Sequence, residues 1–211
     1  MPIEVVPQSQ HIGAEIRGIS LSADLDDAAI AEIRAALLAW KVVFFRDQVL
    51  DRDTHVALGA RFGEVTPAHP TLPPRFPDHP EIVVIQKDAH GHDDPDETIL
   101  EHRWHSDVTY TPTPPMGSIL RAVELPPYGG DTEWSSLAAA YAGLSAPLKT
   151  MIDDLTAVHH NVLHLVRGEP NKLQREFESV RLRARHPVVS VHPETGEKSI
   201  YVNPDFTSHI Y

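Results

Sequence analysis

Nineteen prolines interrupt this chain of 211 residues, and six of them fall between Thr66 and Pro80. Each lacks a backbone N–H and clashes with a preceding helical turn, so their density favours strands and loops over a helical bundle. Thr66 to Pro80, which also carries His69, Phe76 and His79, reads as an extended loop. Helices are expected where prolines are absent. Ile30, Ile33, Leu37 and Trp40 follow one another at helical spacing after the acidic group Asp24, Asp26 and Asp27, which predicts an amphipathic helix over 27–39. A shorter helix is expected over Asp53 to Phe62, stopped by Gly63.

Strand signals are more numerous. They cover Ile12 to Ile19 with Gly13 and Gly18 at bends, Val42 to Phe45 as a run buried on both faces, and Ile82 to Ile85. Ser118 to Leu125 and Thr132 to Ser136 flank the turn Pro126-Pro127-Tyr128-Gly129-Gly130. Pro187 to Val191 and Lys198 to Val202 flank a second turn and give a hairpin signal. Helices follow from Leu137 and from Ser145, whose side chain is positioned to cap a helix with Pro147 in its first turn. His90 to Glu97 is acidic and reads as mobile. His159, His160 and His164 read as helix or loop residues without a chemical role, and Trp40 and Trp134 as packing residues. The expectation is a mixed, β-rich core with flanking helices, in one domain spanning 1–211.

Composition excludes several function classes. There is no cysteine, hence no disulfide, thiolate zinc site, iron–sulfur cluster or cysteine nucleophile. The net charge is −12 with histidine neutral, and no Lys/Arg cluster offers the basic face that nucleic acid requires. A small anion would need a local positive site instead. The longest apolar stretch, Ala35 to Phe45, is broken by Lys41 and falls short of the ~18 residues that span a membrane. Met1 to Ile16 lacks the basic and apolar regions of a signal peptide, so a cytoplasmic location without membrane association is expected.

The chemistry-bearing residues are histidines and carboxylates. In an extended segment, residues i and i+2 project to one side, so His-x-Asp/Glu can grip one ion. With 14 His and 30 acidic residues in 211 positions, chance alone gives about two such pairs, and the chain has four. His92/Asp94 sits in a run of charges without apolar support, and His79/Glu81 and His192/Glu194 each enclose a proline in turn-like sequence. Only His105/Asp107 is flanked by Trp104 and by Val108-Thr109-Tyr110, residues able to pack behind a rigid ligand. Imidazole plus carboxylate suits Fe(II), and a second histidine on one octahedral face leaves positions for co-substrate and O₂.

Six fragments in order carry a resemblance: Ile12-Gly13-Ala14-Glu15-Ile16, Val42 to Gln48, Ala60-Arg61-Phe62-Gly63-Glu64, Trp104 to Tyr110, Gly129-Gly130-Asp131-Thr132 and Tyr201 to Thr207. In these the chain resembles the TauD/TfdA family of 2-oxoglutarate-dependent dioxygenases, which includes taurine dioxygenase and alkylsulfate dioxygenase. The resemblance implies a double-stranded β-helix (a jelly roll, clavaminate synthase-like), with His105 and Asp107 on Fe(II) and the Thr132 hydroxyl on a carboxylate of 2-oxoglutarate. It further implies O₂ as co-substrate, a small anionic substrate such as the sulfonate taurine or an alkyl sulfate, and succinate and CO₂ as products. By the same comparison His69 faces the substrate, Val108 and Phe206 are pocket walls, and a homo-oligomer, dimer or tetramer, is expected.

The resemblance also implies a distal histidine as third iron ligand, followed about ten residues later by an arginine that pairs with the far carboxylate of 2-oxoglutarate. His186, His192 and His209 do not stand in that pattern, so the third ligand is unassigned and the last core strands are expected beyond Tyr211. The alternatives are a truncated binding module of the same fold, strands supplied by another subunit, and a zinc hydrolase built around His105.

Overall fold

The computed structural model describes residues 3–67, 69–70, 74–85, 104–161, 175 and 180–211. The expected mobile segment His90 to Glu97 and His164 lie outside them. Two compact units are present. The first comprises Met1–Ala68, Pro74–Val83 and Ile119–Ser136, the second His69–Pro73, Val84–Ser118 and Leu137–Tyr211.

In the first unit, β1 (Glu4–Pro7) pairs antiparallel with β2 (Ala14–Arg17), which pairs parallel with β3 (Val43–Phe44). Helix α1 (Asp27–Trp40) connects β2 to β3, and α2 (Arg52–Ala60) follows. Both helices start where an aspartate can accept from the backbone. Asp26 Oδ1 takes Ala29 N–H at 2.7 Å, and Asp51 Oδ1 takes Thr54 N–H at 2.8 Å. Gly13 carries a φ of 89°, which lets its N–H reach Trp40 O at 2.9 Å; a Cβ there would meet the Phe44 ring at 3.4 Å. The core is Ile16, Leu21, Ile30, Ile33, Ala36, Leu50 and Leu58, so the expected face of α1 is the buried one. Val43 and Phe44 are half-buried rather than covered on both faces, because β3 is a two-residue strand at the edge of its sheet. Phe44 meets Trp134 edge-on at 5.5 Å, a packing contact as expected of that tryptophan.

Ser118 to Leu125, Thr132 to Ser136 and Ile82 to Ile85 are not strands. Strand formation depends on a hydrogen-bonded neighbour, and among the described residues these segments have none. Leu120, Val123 and Leu125 are 63%, 80% and 71% exposed, so their apolar character is not spent on a core here.

In the second unit, α3 (Leu137–Gly143) and α4 (Ala146–Ile152) precede β4 (Thr156–His160). Ser145 stands at the N-cap of α4 with Pro147 in the first turn, as expected, but its side chain makes no capping bond. β4 is the centre of an antiparallel sheet, between β5 (Arg183–Pro187) and β8 (Thr207–Ile210). β6 (Val189–Val191) and β7 (Lys198–Ile200) form the expected hairpin. Ala157, Val188 and Val189 form a second core with Tyr141, Ile152, Leu155 and Val202. Among the described residues eight strands and four helices make a β-rich chain with flanking helices. No described helix is long and apolar enough to cross a membrane.

His159 and His160 correct the sequence reading: they lie on the central strand, not in a helix or loop. Pairing on both edges satisfies that backbone, and His159 is wholly buried. Burial, then the neighbouring His186 and His160, push its pKa down to about 4. The folded value lies below the ordinary 6.5, so the unfolded chain takes up the proton first as pH falls. Stability from this group is complete above pH 6.5, declines as pH drops towards 4, and loses nothing further below that; the span corresponds to about 3 kcal/mol. His159→Gln is therefore expected to flatten the loss of stability between pH 6.5 and 4 in urea unfolding. An unchanged acid slope in the variant would contradict the assignment.

Candidate metal centre

The segment carrying His105 and Asp107 has no regular structure at 104–106 and turns at 107–110. His105 Nε2 and Asp107 Oδ1 lie 3.2 Å apart. Cis donors at about 2.1 Å from one divalent ion are about 3 Å apart, so the two atoms fit a shared ion. The Asp107 side chain is 70% exposed and that of His105 28%, which leaves the pair open to solvent and ligands. The His105 N–H beside Asp107 holds its carboxyl below the ordinary value, assisted by the charges of His105 and His69 and opposed by burial. The carboxylate is the form a cation requires.

What packs behind His105 differs from the expectation. Trp104 is 55% exposed. The support comes instead from a turn about a hundred positions along the chain. Asn203 Oδ1 accepts from the N–H groups of Asp205 (3.1 Å) and Phe206 (2.8 Å), fixing that turn. The Asp205 side chain is 0% exposed, and its Oδ2 lies 3.6 Å from His105 Nδ1. Phe206 meets the His105 ring edge-on at 6.0 Å and the Tyr110 ring at 5.0 Å. The imidazole therefore stands between an exposed carboxylate on Nε2 and a buried one on Nδ1. A carboxylate behind a ligating histidine fixes ring orientation and raises ligand basicity. Asp205 was not legible from spacing; its buried position beside a histidine emerges only from the fold.

Behind Asp107 the chain is held by hydrogen bonds. Val108 has φ 47°, a conformation that strains a β-branched residue. Its carbonyl accepts from Thr111 N at 3.0 Å and Thr111 Oγ1 at 2.8 Å. Thr109 is wholly buried. Its hydroxyl lies 2.9 Å from His159 Nδ1, and its carbonyl accepts from His186 Nε2 at 2.8 Å.

His69 belongs to the same unit and is half-buried. Its Nε2 lies 3.2 Å from Tyr110 OH. Burial pushes the His69 pKa down, opposed by the charge of Asp107. Tyr110 is 1% exposed, and burial followed by the Asp107 charge raises its pKa well above the ordinary value. It remains a hydroxyl. Of the other expected site residues, Val108 is half-buried beside Asp107, Phe206 is 3% exposed, and Thr132 is exposed and belongs to the first unit.

The remaining downstream histidines have other partners. His186 bonds the carbonyls just described, His192 Nδ1 accepts from the N–H groups of Glu194 and Thr195 within its turn, and His209 lies between Ser208 and Tyr211 on β8. Among the described residues no group of three or more His, Cys, Asp or Glu side chains is arranged to hold an ion.

The match to known proteins follows the same residues. Residues 4–211 match the family described as taurine catabolism dioxygenase TauD, TfdA family, and the chain belongs to it. It is 39% identical over 208 residues to an alpha-ketoglutarate-dependent sulfate ester dioxygenase of Pseudomonas putida, covering 95% of this chain and 66% of that protein. It is 37% identical over 203 residues to an alkylsulfatase of Acinetobacter baylyi, covering 93% and 61%. A crystal structure of a taurine dioxygenase from Burkholderia xenovorans superposes with a TM-score of 0.78 at 45% identity, covering 100% of this chain and 66% of that one. The chain thus spans less than two thirds of the length of these curated relatives.

Phe206 fills the space between His105 and Tyr110, so Phe206→Ala is expected to destabilise the second unit by about 3–5 kcal/mol. Urea unfolding measures this, and a loss below about 1 kcal/mol would show that the ring is not part of the packing.

Proposed function

We propose that this chain carries the His105 and Asp107 portion of an Fe(II) centre in a 2-oxoglutarate-dependent dioxygenase acting on a small sulfonate or alkyl sulfate. The observation that carries the reading is the 3.2 Å approach of His105 Nε2 to Asp107 Oδ1, open to solvent on one side and backed by buried Asp205 on the other. When bound, the iron supplies the oxidative chemistry, consuming O₂ and 2-oxoglutarate and releasing succinate and CO₂. The protein's part is to hold and aim it. In this reading an ion displaces the hydrogen that His105 Nε2 shares with Asp107, and the buried Asp205 carboxylate, 3.6 Å from Nδ1, favours the ring hydrogen on that side.

His69 is the proposed contact for the anionic head group. Tyr110 keeps its proton and can donate it to His69 Nε2, which places the ring hydrogen on Nδ1 as a donor to a sulfonate or sulfate oxygen. A neutral donor selects by geometry, and binding of an anion then favours protonation of the ring. Val108 and Phe206 are proposed walls of the substrate space, and Thr132 a hydroxyl contact for 2-oxoglutarate. The names of the relatives, sulfate ester dioxygenase, alkylsulfatase and taurine dioxygenase, support this substrate class. The same reading takes a double-stranded β-helix as the core to which the strands contribute, within one domain of a cytoplasmic homo-oligomer.

The test is anaerobic titration with Fe(II) in the presence of 2-oxoglutarate, followed by visible absorption. A charge-transfer band is expected, and His105→Ala or Asp107→Ala should weaken binding by more than about 100-fold, beyond the 10–100-fold typical of outer partners. Succinate release with alkyl sulfates, sulfonates and aryloxyacids then ranks substrates. No band, together with hydrolysis in the presence of zinc, would overturn the proposal.

A further inference from the structure

We propose that His186 is a positioning residue for the metal centre: it clamps the turn that follows Asp107 and holds Val108 in its left-handed conformation. The inference rests on the reading of Asp107 as a ligand, and its own evidence is separate. His186 Nε2 lies 2.8 Å from Thr109 O and 3.1 Å from Thr111 O. Both partners are carbonyl acceptors, so Nε2 carries the hydrogen and shares it between them. One N–H thereby closes over residues 109–111, directly after the strained position.

The ring itself has little freedom to follow the turn. His186 lies on β5 opposite Ala157 of the central strand. It stands edge-on to His159 at 5.4 Å and to Tyr201 at 5.4 Å. His159 in turn holds the hydroxyl of Thr109 at 2.9 Å. The Asp107 turn is therefore anchored from a sheet, through the buried His159 ring and the half-buried His186 ring, rather than by its local sequence. A β-branched residue at φ 47° needs such an outside hold, since its own preference is for an extended or right-handed conformation. Released, the backbone at Val108 would rotate and carry Asp107 away from His105. Loss of a ligand pair's geometry should then appear as weaker metal binding without loss of either ligand.

The test is a double-mutant cycle between His186→Phe and Val108→Gly, read by Mn(II) binding and by amide hydrogen exchange of Thr111. Phenylalanine keeps a ring against His159 and Tyr201 but has no donor. Glycine accepts the left-handed conformation without strain, so it removes the need for the clamp. H186F is expected to weaken Mn(II) binding about tenfold, the lower end of what outer partners contribute. It should also speed exchange of the Thr111 amide, which is bonded to Val108 O, while the amides of β4 stay protected. In the double variant, affinity should return to within about threefold of the Val108→Gly reference, a marked departure from additivity. His186→Gln, which retains a donor, should lose less than His186→Phe.

Equal Mn(II) affinity in H186F and the parent chain, a loss that persists undiminished in the double variant, or unchanged Thr111 exchange would each overturn the clamp. If H186F does not fold, His186→Asn is substituted, since its short amide cannot reach both carbonyls. Absence of Mn(II) binding by the parent chain would sink the metal reading alone. Thr111 exchange still decides the clamp in that case.

Discussion

The geometry of the centre depends on how Thr109 is buried. Its hydroxyl and its carbonyl are both withdrawn from water, and each meets a histidine from the β5-β4-β8 sheet. A buried polar group left unpaired costs about 1–3 kcal/mol, so these bonds fix where the turn can lie. With Thr109 fixed, Asp107 two positions earlier is left at the surface and Tyr110 one position later enters the interior. Exposed carboxylate, strained link and buried anchor thus occupy three consecutive residues, 107–109.

Two carboxylates flank the His105 ring, and exposure separates their roles. Asp107 is mostly exposed, so it can approach an ion and exchange its solvent for a ligand. Asp205 is enclosed, and a charge there interacts with the ring through a low-dielectric surrounding, where its effect is larger than the 3.6 Å separation alone suggests. The nearer carboxylate suits binding and the farther one orientation.

Part of this was legible in the sequence. Asp26, with the apolar spacing of Ile30 and Ile33, announced α1 because capping and periodicity are local properties. The turn between β6 and β7 was readable for the same reason. The His105/Asp107 pair stood out among four by its neighbours, of which Trp104 is 55% exposed, while the ring that meets His105 is Phe206 from a distant turn. Asp205, His159 and His186 were not readable, since their roles arise from contacts 50 to 100 positions apart in sequence. The apolar run from Ser118 to Leu125 erred in the other direction: its propensity is real, but propensity without a paired neighbour makes no strand.

The central claim is that His105 and Asp107 hold one metal ion together, with Asp205 behind the imidazole. Anomalous diffraction from crystals of the chain soaked in Mn(II) tests it most directly. The account predicts a single peak about 2.2 Å from both His105 Nε2 and an Asp107 oxygen, with Nδ1 still facing Asp205. A peak bound to Asp107 alone, or an imidazole turned so that Nδ1 meets the metal, would contradict it.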